Sequence, residues 1–231
     1  MKTIQLSIDG KEIECAEGET LLWVALDHAI YIPHLCLMKG MEPSGACRLC
    51  FVEVEGEPLP VTACTTRVRE GMVVSTKGAE AFRLARTAFE LILSNHPVNC
   101  AHCLKNGSCE LQKIARHLGV KLRTKKFKKF LREQPVDETS PVFVYDANKC
   151  VLCGRCVWYC HEKLNTGTIG FAYRGFQRWV TTFGDEPVGV SECRDRVELV
   201  EICPVGAFVP KNKKNLANPV RKGGASNPAL P

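Results

Sequence analysis

The sequence has no apolar run long enough to cross a bilayer, since no stretch approaches 18 uncharged apolar residues. Its opening, MKTIQLSIDGKEIE, places Asp9 and Glu12 where a secretory leader needs an apolar centre. These two absences predict a chain without a membrane span that works in the cytoplasm. Glycine-rich phosphate cradles are missing too: neither G-x-G-x-x-G nor a P-loop occurs, so neither a flavin nor a nicotinamide nucleotide has an evident seat. After Cys203 there is no further cysteine.

What is present in excess is cysteine. Fourteen residues of this type fall in tight clusters separated by long cysteine-free stretches, a pattern that points to metal and away from disulfides. A reducing compartment keeps such thiols free for metal. The length of 231 residues fits one domain or two, and the hydrophobic and charged fractions, 45% and 24%, are those of a soluble globular protein. The formal charge of +6 omits any bound metal and its thiolates. With three iron–sulfur sites filled it falls to roughly +1 by formal counting.

The first segment reads as small mixed α and β structure. TIQLSI alternates apolar and polar residues, Asp9-Gly10 supplies a turn and KEIEC returns, which predicts a hairpin over residues 1–15. Thr20 is placed to N-cap a helix through about Ala29, with Leu21, Leu22, Val24, Ala25 and Ala29 packed on the hairpin and Pro33 ending the segment. FVEVEG, LPVTAC and MVVST are further strands, giving a β-grasp arrangement, the architecture of plant-type ferredoxins. From Ala79 to Ser94, Glu80, Arg83, Arg86, Thr87 and Glu90 recur at helical spacing and leave Phe82, Ala85, Phe89 and Ile92 for burial. Residues 121–132, KLRTKKFKKFLR, carry seven basic residues and lead into a polar connector. Then come a strand VFVY, a cysteine-rich helix, an aromatic hairpin near 168–183, a last helix from about Glu192, and a tail rich in Pro, Gly and Asn. The expected division is 1–78, 79–120, a connector 121–140, 141–210, and a flexible or partner-bound tail 211–231.

Three donor sets follow. Cys36, Cys47, Cys50 and Cys64 have the spacing C-x10-C-x2-C-x13-C around the predicted sheet and suit a [2Fe–2S] cluster. Gly40 and Gly45 suit loops that approach sulfur closely, with backbone N–H groups to favour the reduced cluster. His96, Cys100, Cys103 and Cys109 form H-x3-C-x2-C-x5-C after a helix that stops before Pro97. The triplet lacks a fourth thiolate, and His96 is placed to supply the missing ligand of a [4Fe–4S] site; His102 reads as a supporting or surface residue. Cys150, Cys153 and Cys156 open a third set in CVLCGRCVWYC, where Gly154 permits a tight turn.

Their fourth ligand is distant. In two-cluster ferredoxins the last cysteine of each run serves the other cluster, so Cys203 of Cys203-Pro204 completes this [4Fe–4S] set. The mirror set would be Cys160 with positions 193, 196 and 199, but Arg196 and Leu199 occupy two of these. Arginine stays protonated and leucine has no donor atom. The second cluster is therefore expected to be lost, with Leu199 filling its cavity and Cys160 and Cys193 left as thiols that are not ligands. A single metal or a redox pair involving His161 is the lesser reading of those two. Cys15, on a strand, reads as a buried apolar residue. Val151, Leu152, Trp158 and Phe208 are candidates to keep water off the third set, with core packing the better reading of Trp158.

In this order and at these spacings, the three motifs resemble the N-terminal iron–sulfur region of the large subunit of respiratory complex I and of [FeFe] hydrogenases. As a chain of this length it resembles the small iron–sulfur subunit of the diaphorase module of soluble NAD-reducing [NiFe] hydrogenases. The resemblance covers residues 1 to about 210. It implies an α+β chain comprising a β-grasp [2Fe–2S] ferredoxin domain, a helical His/Cys3 [4Fe–4S] segment and a degenerate bacterial-ferredoxin-like domain with one [4Fe–4S] cluster. It implies a hetero-oligomeric electron carrier whose partners are a flavin/NAD(P)-binding diaphorase subunit and the [NiFe] hydrogenase small and large subunits. The chain itself then has no catalytic residue, and no cysteine remains for an [FeFe] active site. An electron-bifurcating hydrogenase or an NAD-dependent formate dehydrogenase would use the same relay. A zinc-stabilised nucleic-acid module with a basic helix over 121–132 is the remote alternative; Phe127 and Phe130 of that stretch are instead expected to face a subunit.

Overall fold

A computed structural model describes residues 2–123 and 125–211. Of the expected tail, 212–231 lies outside the described residues.

The hairpin forms as the alternation demands. In β1 (Thr3–Ile8) Ile4, Leu6 and Ile8 point into the core, and β2 (Lys11–Ala16) pairs with it from Ile8↔Lys11 to Thr3↔Ala16. Asp9 and Gly10 both take left-handed backbone, φ 52 and 80, as a two-residue turn of matching twist requires. The strands β3 (Phe51–Val54), β4 (Val61–Thr62) and β5 (Val73–Ser75) complete a mixed five-stranded sheet of order β2-β1-β5-β3-β4, in which β1 and β5 run parallel. The helix α1 (Leu21–Asp27) covers it with Leu21, Leu22, Val24 and Ala25.

Three local expectations change here. The helix ends before Ala29, which is exposed and left-handed at φ 63, while His28 Nδ1–H donates to Val24 O at 2.8 Å and occupies a last-turn carbonyl. Thr20 holds the N-cap position, but its hydroxyl accepts from Arg67 Nη1 at 3.2 Å and caps nothing. Cys15 is half-buried on the edge strand β2, not buried, because an edge strand has a neighbour on one side only.

The long helix α2 (Ala79–Ser94) is held at its start by Glu53 of β3, whose carboxylate accepts from the N–H groups of Glu80 and Ala81 at 3.0 and 3.2 Å. A Cβ at Gly78 would lie 2.1 Å from that carboxylate carbon, so a larger residue there would displace the Glu53 carboxylate from the helix start. Ala85 and Phe89 are buried as expected, and Phe82 and Ile92 only half so. Glu90, expected on the wet face, is 8% exposed and pairs with Lys126 at 2.6 Å. The α3 helix (Glu110–Leu118) buries Leu111, Ile114, Ala115 and Leu118 and stops at left-handed Gly119.

The described residues of 121–132 are not a helix. They run as an irregular strap along α2 and into the C-terminal region: Lys129 Nζ donates to Leu93 O, Phe130 N–H to Ser94 O, and Arg132 to the carbonyls of Arg178 and Cys150. Alternating basic and aromatic side chains find carbonyls and a carboxylate to bind, and those bonds replace a helical ladder. Phe130 stacks on Phe176 at 4.4 Å between ring centres and Phe127 is half-buried.

Beyond the strap, β6 (Phe143–Tyr145) pairs antiparallel with β9 (Phe208–Pro210), so the beginning and end of this region lie side by side. Between them are α4 (Arg155–Trp158) with a π-helical turn over Tyr159–Lys163, the hairpin β7 (Ile169–Ala172) and β8 (Trp179–Thr182), and α5 (Glu198–Ile202). This last helix starts later than Glu192. Ser191 Oγ accepts the N–H of Cys193 at 3.2 Å, a local turn that competes with helix.

Two apolar cores result. One lies under the N-terminal sheet, and the other is shared by α2, α3 and the whole C-terminal region, with Leu35 and Leu49 entering it from the N-terminal loop. Among the described residues no helix is long and apolar enough to cross a membrane.

Candidate metal centres

Cys50 immediately precedes β3 and Cys64 follows β4, so the antiparallel pairing of Phe51 with Thr62 sets the two thiols together. Cys36 and Cys47 come from the long loop between α1 and β3. Within each pair the thiols hydrogen-bond, and this drops Cys36 to about 5 while pushing its partner Cys47 up; Cys64 is likewise lowered by Cys50. The N–H groups of Ala46 and Gly45 turn toward Cys36 and Cys64 and further favour thiolate there. Gly40 and Gly45 are needed for their backbone, at φ 82 and 61. A Cβ at Gly40 would meet nothing within 4 Å, and one at Gly45 would meet only Thr65 and Arg48 side chains at ordinary contact distances, so among protein atoms it is the backbone conformation that calls for glycine.

His96 follows the end of α2. Its Nδ1–H donates to Lys149 O at 3.0 Å, and burial lowers its pKa to about 4, so the ring is neutral with Nε2 carrying the free lone pair. This is the arrangement that orients an imidazole toward metal. Cys100 opens a short 3-10 turn, Cys103 ends it, and Cys109 holds the N-cap position of α3 with its thiol raised by burial. Cys103 Sγ rests against the backbone of Gly206, where a Cβ would come within 2.6 Å. His102 is exposed and bonds Asn99, a surface residue as expected.

Cys150, Cys153, Cys156 and Cys203 line one small enclosed cavity together with Val151, Val180, Val205, Ala207 and Phe208. Leu152 and Gly154 are left-handed, φ 56 and 81, and this winds the Cys150–Cys156 loop around the cavity. Cys203 arrives from the opposite side at the end of α5, and its thiol donates to Val205 O at 3.2 Å. Burial is the leading cause that raises Cys150 to about 11 and Cys153 to about 12. Leu152 and Trp158 are not on the wall; Trp158 is half-buried with Lys163 over its ring. Among the described residues no three His, Cys, Asp or Glu side chains close on a point suited to a single ion. The chemistry of the donor sets fits iron–sulfur clusters: each offers four soft or imidazole donors, the cysteines are free of disulfides, and apolar walls surround the third.

Family models match in the same order. A 2Fe-2S iron–sulfur cluster binding domain covers residues 1–79, the NADH-ubiquinone oxidoreductase-G iron–sulfur binding region covers 86–123, and the ferredoxin-like domain of NADH-quinone oxidoreductase subunit 3 covers 140–209. The chain thus carries, in this order, matches to three iron–sulfur domain families.

Its relatives are parts of larger oxidoreductases. The NADPH-Fe(3+) oxidoreductase subunit alpha of Geobacter sulfurreducens is 34% identical over 94% of this chain and 25% of its own. An NADP-reducing hydrogenase subunit of Solidesulfovibrio fructosivorans is 33% identical over 90% of this chain and 36% of its own. The chain thus spans about a quarter to a third of these curated relatives. Among solved structures, a chain of the NAD+-reducing [NiFe]-hydrogenase in its H2-reduced state aligns with a TM-score of 0.77 at 28% identity, covering 97% of this chain and 90% of that one.

Within this iron–sulfur frame, several residues escaped the sequence reading. Arg155, inside CVLCGRC, donates from Nη2 to Leu37 O at 3.1 Å, beside Cys36, while its buried Nε has no hydrogen-bond partner. Gly206 seats Cys103 from the neighbouring domain. Val180, Val205 and Ala207 wall the third cavity. Apart from Phe208, which was expected near this set, only the Cys203-Pro204 signature hinted that residues 204–207 matter.

Proposed function

We propose that this chain relays single electrons through three clusters between a flavin subunit exchanging hydride with NAD(P)H and a [NiFe] hydrogenase module. The [2Fe–2S] seat is Cys36, Cys47, Cys50 and Cys64; the two [4Fe–4S] seats are His96, Cys100, Cys103 and Cys109, and Cys150, Cys153, Cys156 and Cys203. The domains to which they belong are 1–78, 79–120 and 141–210, joined by 121–140. When bound, such clusters take up and release one electron at a time.

One observation carries this reading: the three seats touch through short covalent and hydrogen-bonded links. His96 donates to the carbonyl of Lys149, the residue before Cys150, and Glu110 N–H donates to Pro204 O at 3.0 Å, joining the residues after Cys109 and Cys203. Arg155 ties the third seat to the residue after Cys36. A chain built only to store metal has no use for adjoining seats. The protein's own share is to fix spacing, exclude water and set charge around each seat. We place it in the cytoplasm, in a hetero-oligomer, and the choice of hydrogenase as partner leans on the solved relative that aligns over nearly its whole length.

Anaerobic purification with native companions tests this. The expected result is about ten irons per chain, paramagnetic signals on reduction, and flavin and [NiFe] subunits in the same complex. A molybdopterin subunit in their place would move the relay to formate chemistry, and a colourless zinc-loaded chain would end the proposal.

A further inference from the structure

The C-terminal region contains a second donor set that has lost half its members. Arg196 points to solvent and Leu199 is wholly buried in the shared core, so the space is closed by apolar packing. Two thiols remain, and they have converged. Cys160 Sγ lies 3.6 Å from Cys193 Sγ, and both residues are 0% exposed. Cys160 Sγ also accepts the N–H of Ile169 at 3.2 Å and stands 3.1 Å from the Thr166 hydroxyl. His161 is turned away, its exposed ring bonded to Glu162.

Two cysteines serving only as small apolar residues need no such meeting. We propose that Cys160 and Cys193 are an oxidisable dithiol, a modification site distinct from the three seats, converted to a disulfide by a small peroxide. The pair is identified from its own geometry and stands independently of the cluster assignment. In the first step one thiolate sulfur attacks the peroxide; an S–O bond forms, the O–O bond breaks, and hydroxide leaves. The second thiol then displaces that oxygen, forming S–S and releasing water. Overall two thiols and one hydrogen peroxide give a disulfide and two waters, with two electrons passing from sulfur to oxygen. Contact between the sulfurs makes the second step intramolecular and favours it over further oxidation.

Burial raises the Cys193 thiol to about 12, so the reaction is slow and selective for small oxidants. The product would join the π-helical turn that follows Cys156 to the segment that enters α5 and ends at Cys203. Both sides of the third cavity would then be tied by a covalent bond that no iron supplies.

The experiment treats the cluster-loaded full chain with one equivalent of hydrogen peroxide without air, follows visible absorption, then quenches, alkylates under denaturing conditions and maps peptides by mass spectrometry. A 160–193 linked peptide, 2 Da lighter than its two reduced halves, should form while cluster absorption persists. It should vanish in Cys160→Ser and in Cys193→Ser, both retaining the iron content of the parent. The proposal is overturned if both cysteines alkylate fully while the clusters are intact, if the link appears only after absorption is lost, or if either serine variant loses iron.

Discussion

The first and third seats solve one chemical problem in opposite surroundings. Around Cys36, Cys47, Cys50 and Cys64 the thiols pair with each other and with loop N–H groups, and the sheet beneath has an apolar core of its own. Around Cys150, Cys153, Cys156 and Cys203 the cysteines are themselves members of the core or packed against it, and burial opposes their ionisation. Cys50 and Cys64 also belong to the core under the N-terminal sheet, but there hydrogen bonds outweigh burial at Cys36 and Cys64 and favour thiolate. In the third seat burial outweighs such bonds and the thiols are pushed up. Charge on buried sulfur is costly without a cation, so stability should lean on iron at the third seat and much less at the first.

The sharpest way to break this contrast is to remove iron by anaerobic chelation and follow amide hydrogen exchange by region. Protection should collapse over residues 141–210 and persist over β1, β2 and β5; equal loss in both, or none in far-UV circular dichroism, would contradict it. Next in size is Cys203→Ser, expected to lose about four irons per chain, whereas Cys193→Ser should lose none. Equal losses in both would reassign the fourth ligand.

Gly206→Ala probes the junction of the second and third seats. The added methyl would come within 2.6 Å of Cys103 Sγ, so the paramagnetic signal of the His96 seat should weaken or shift while the [2Fe–2S] signal stays unchanged. A spectrum identical to the parent would show that the chain yields without moving the sulfur. The smallest effect is expected from Arg155→Met, which removes a cation between the first and third seats. Midpoint potentials measured by redox titration should fall by tens of millivolts at both, by the correspondence of about 59 mV to 1.4 kcal/mol for one electron. A shift at neither seat would deny Arg155 an electrostatic part.

How far sequence reaches depends on what a feature is made of. The cysteine clusters around Cys36, Cys100 and Cys150 were legible because chain-local ligands must recur at short spacing, and His96 is proposed as a ligand because three cysteines in a row lacked a fourth. Even Cys203 could be assigned over a gap of 47 residues from Cys156, since the missing partners at 196 and 199 exposed the pattern. Glu90 could not be placed: helical periodicity put it on the wet face, and only the strap that folds back with Lys126 covers it. The same strap defeats the helix reading of residues 121–132, because Lys129 and Arg132 are spent on carbonyls of α2 and the cysteine loop. Gly206 was invisible for the same reason. Its neighbour Cys103 is distant along the chain, and no local pattern announces a contact of that kind.

The pairing of β6 with β9 has a consequence in time. A ribosome emits Cys150, Cys153 and Cys156 well before Cys203, and the strand that anchors the returning arm ends only at Pro210. Three thiols must therefore wait, incomplete, while some fifty residues are still being made, whereas the N-terminal seat is whole once Cys64 has emerged. Cluster delivery to this protein should follow the order of translation, with the last site charged only once Cys203 has emerged.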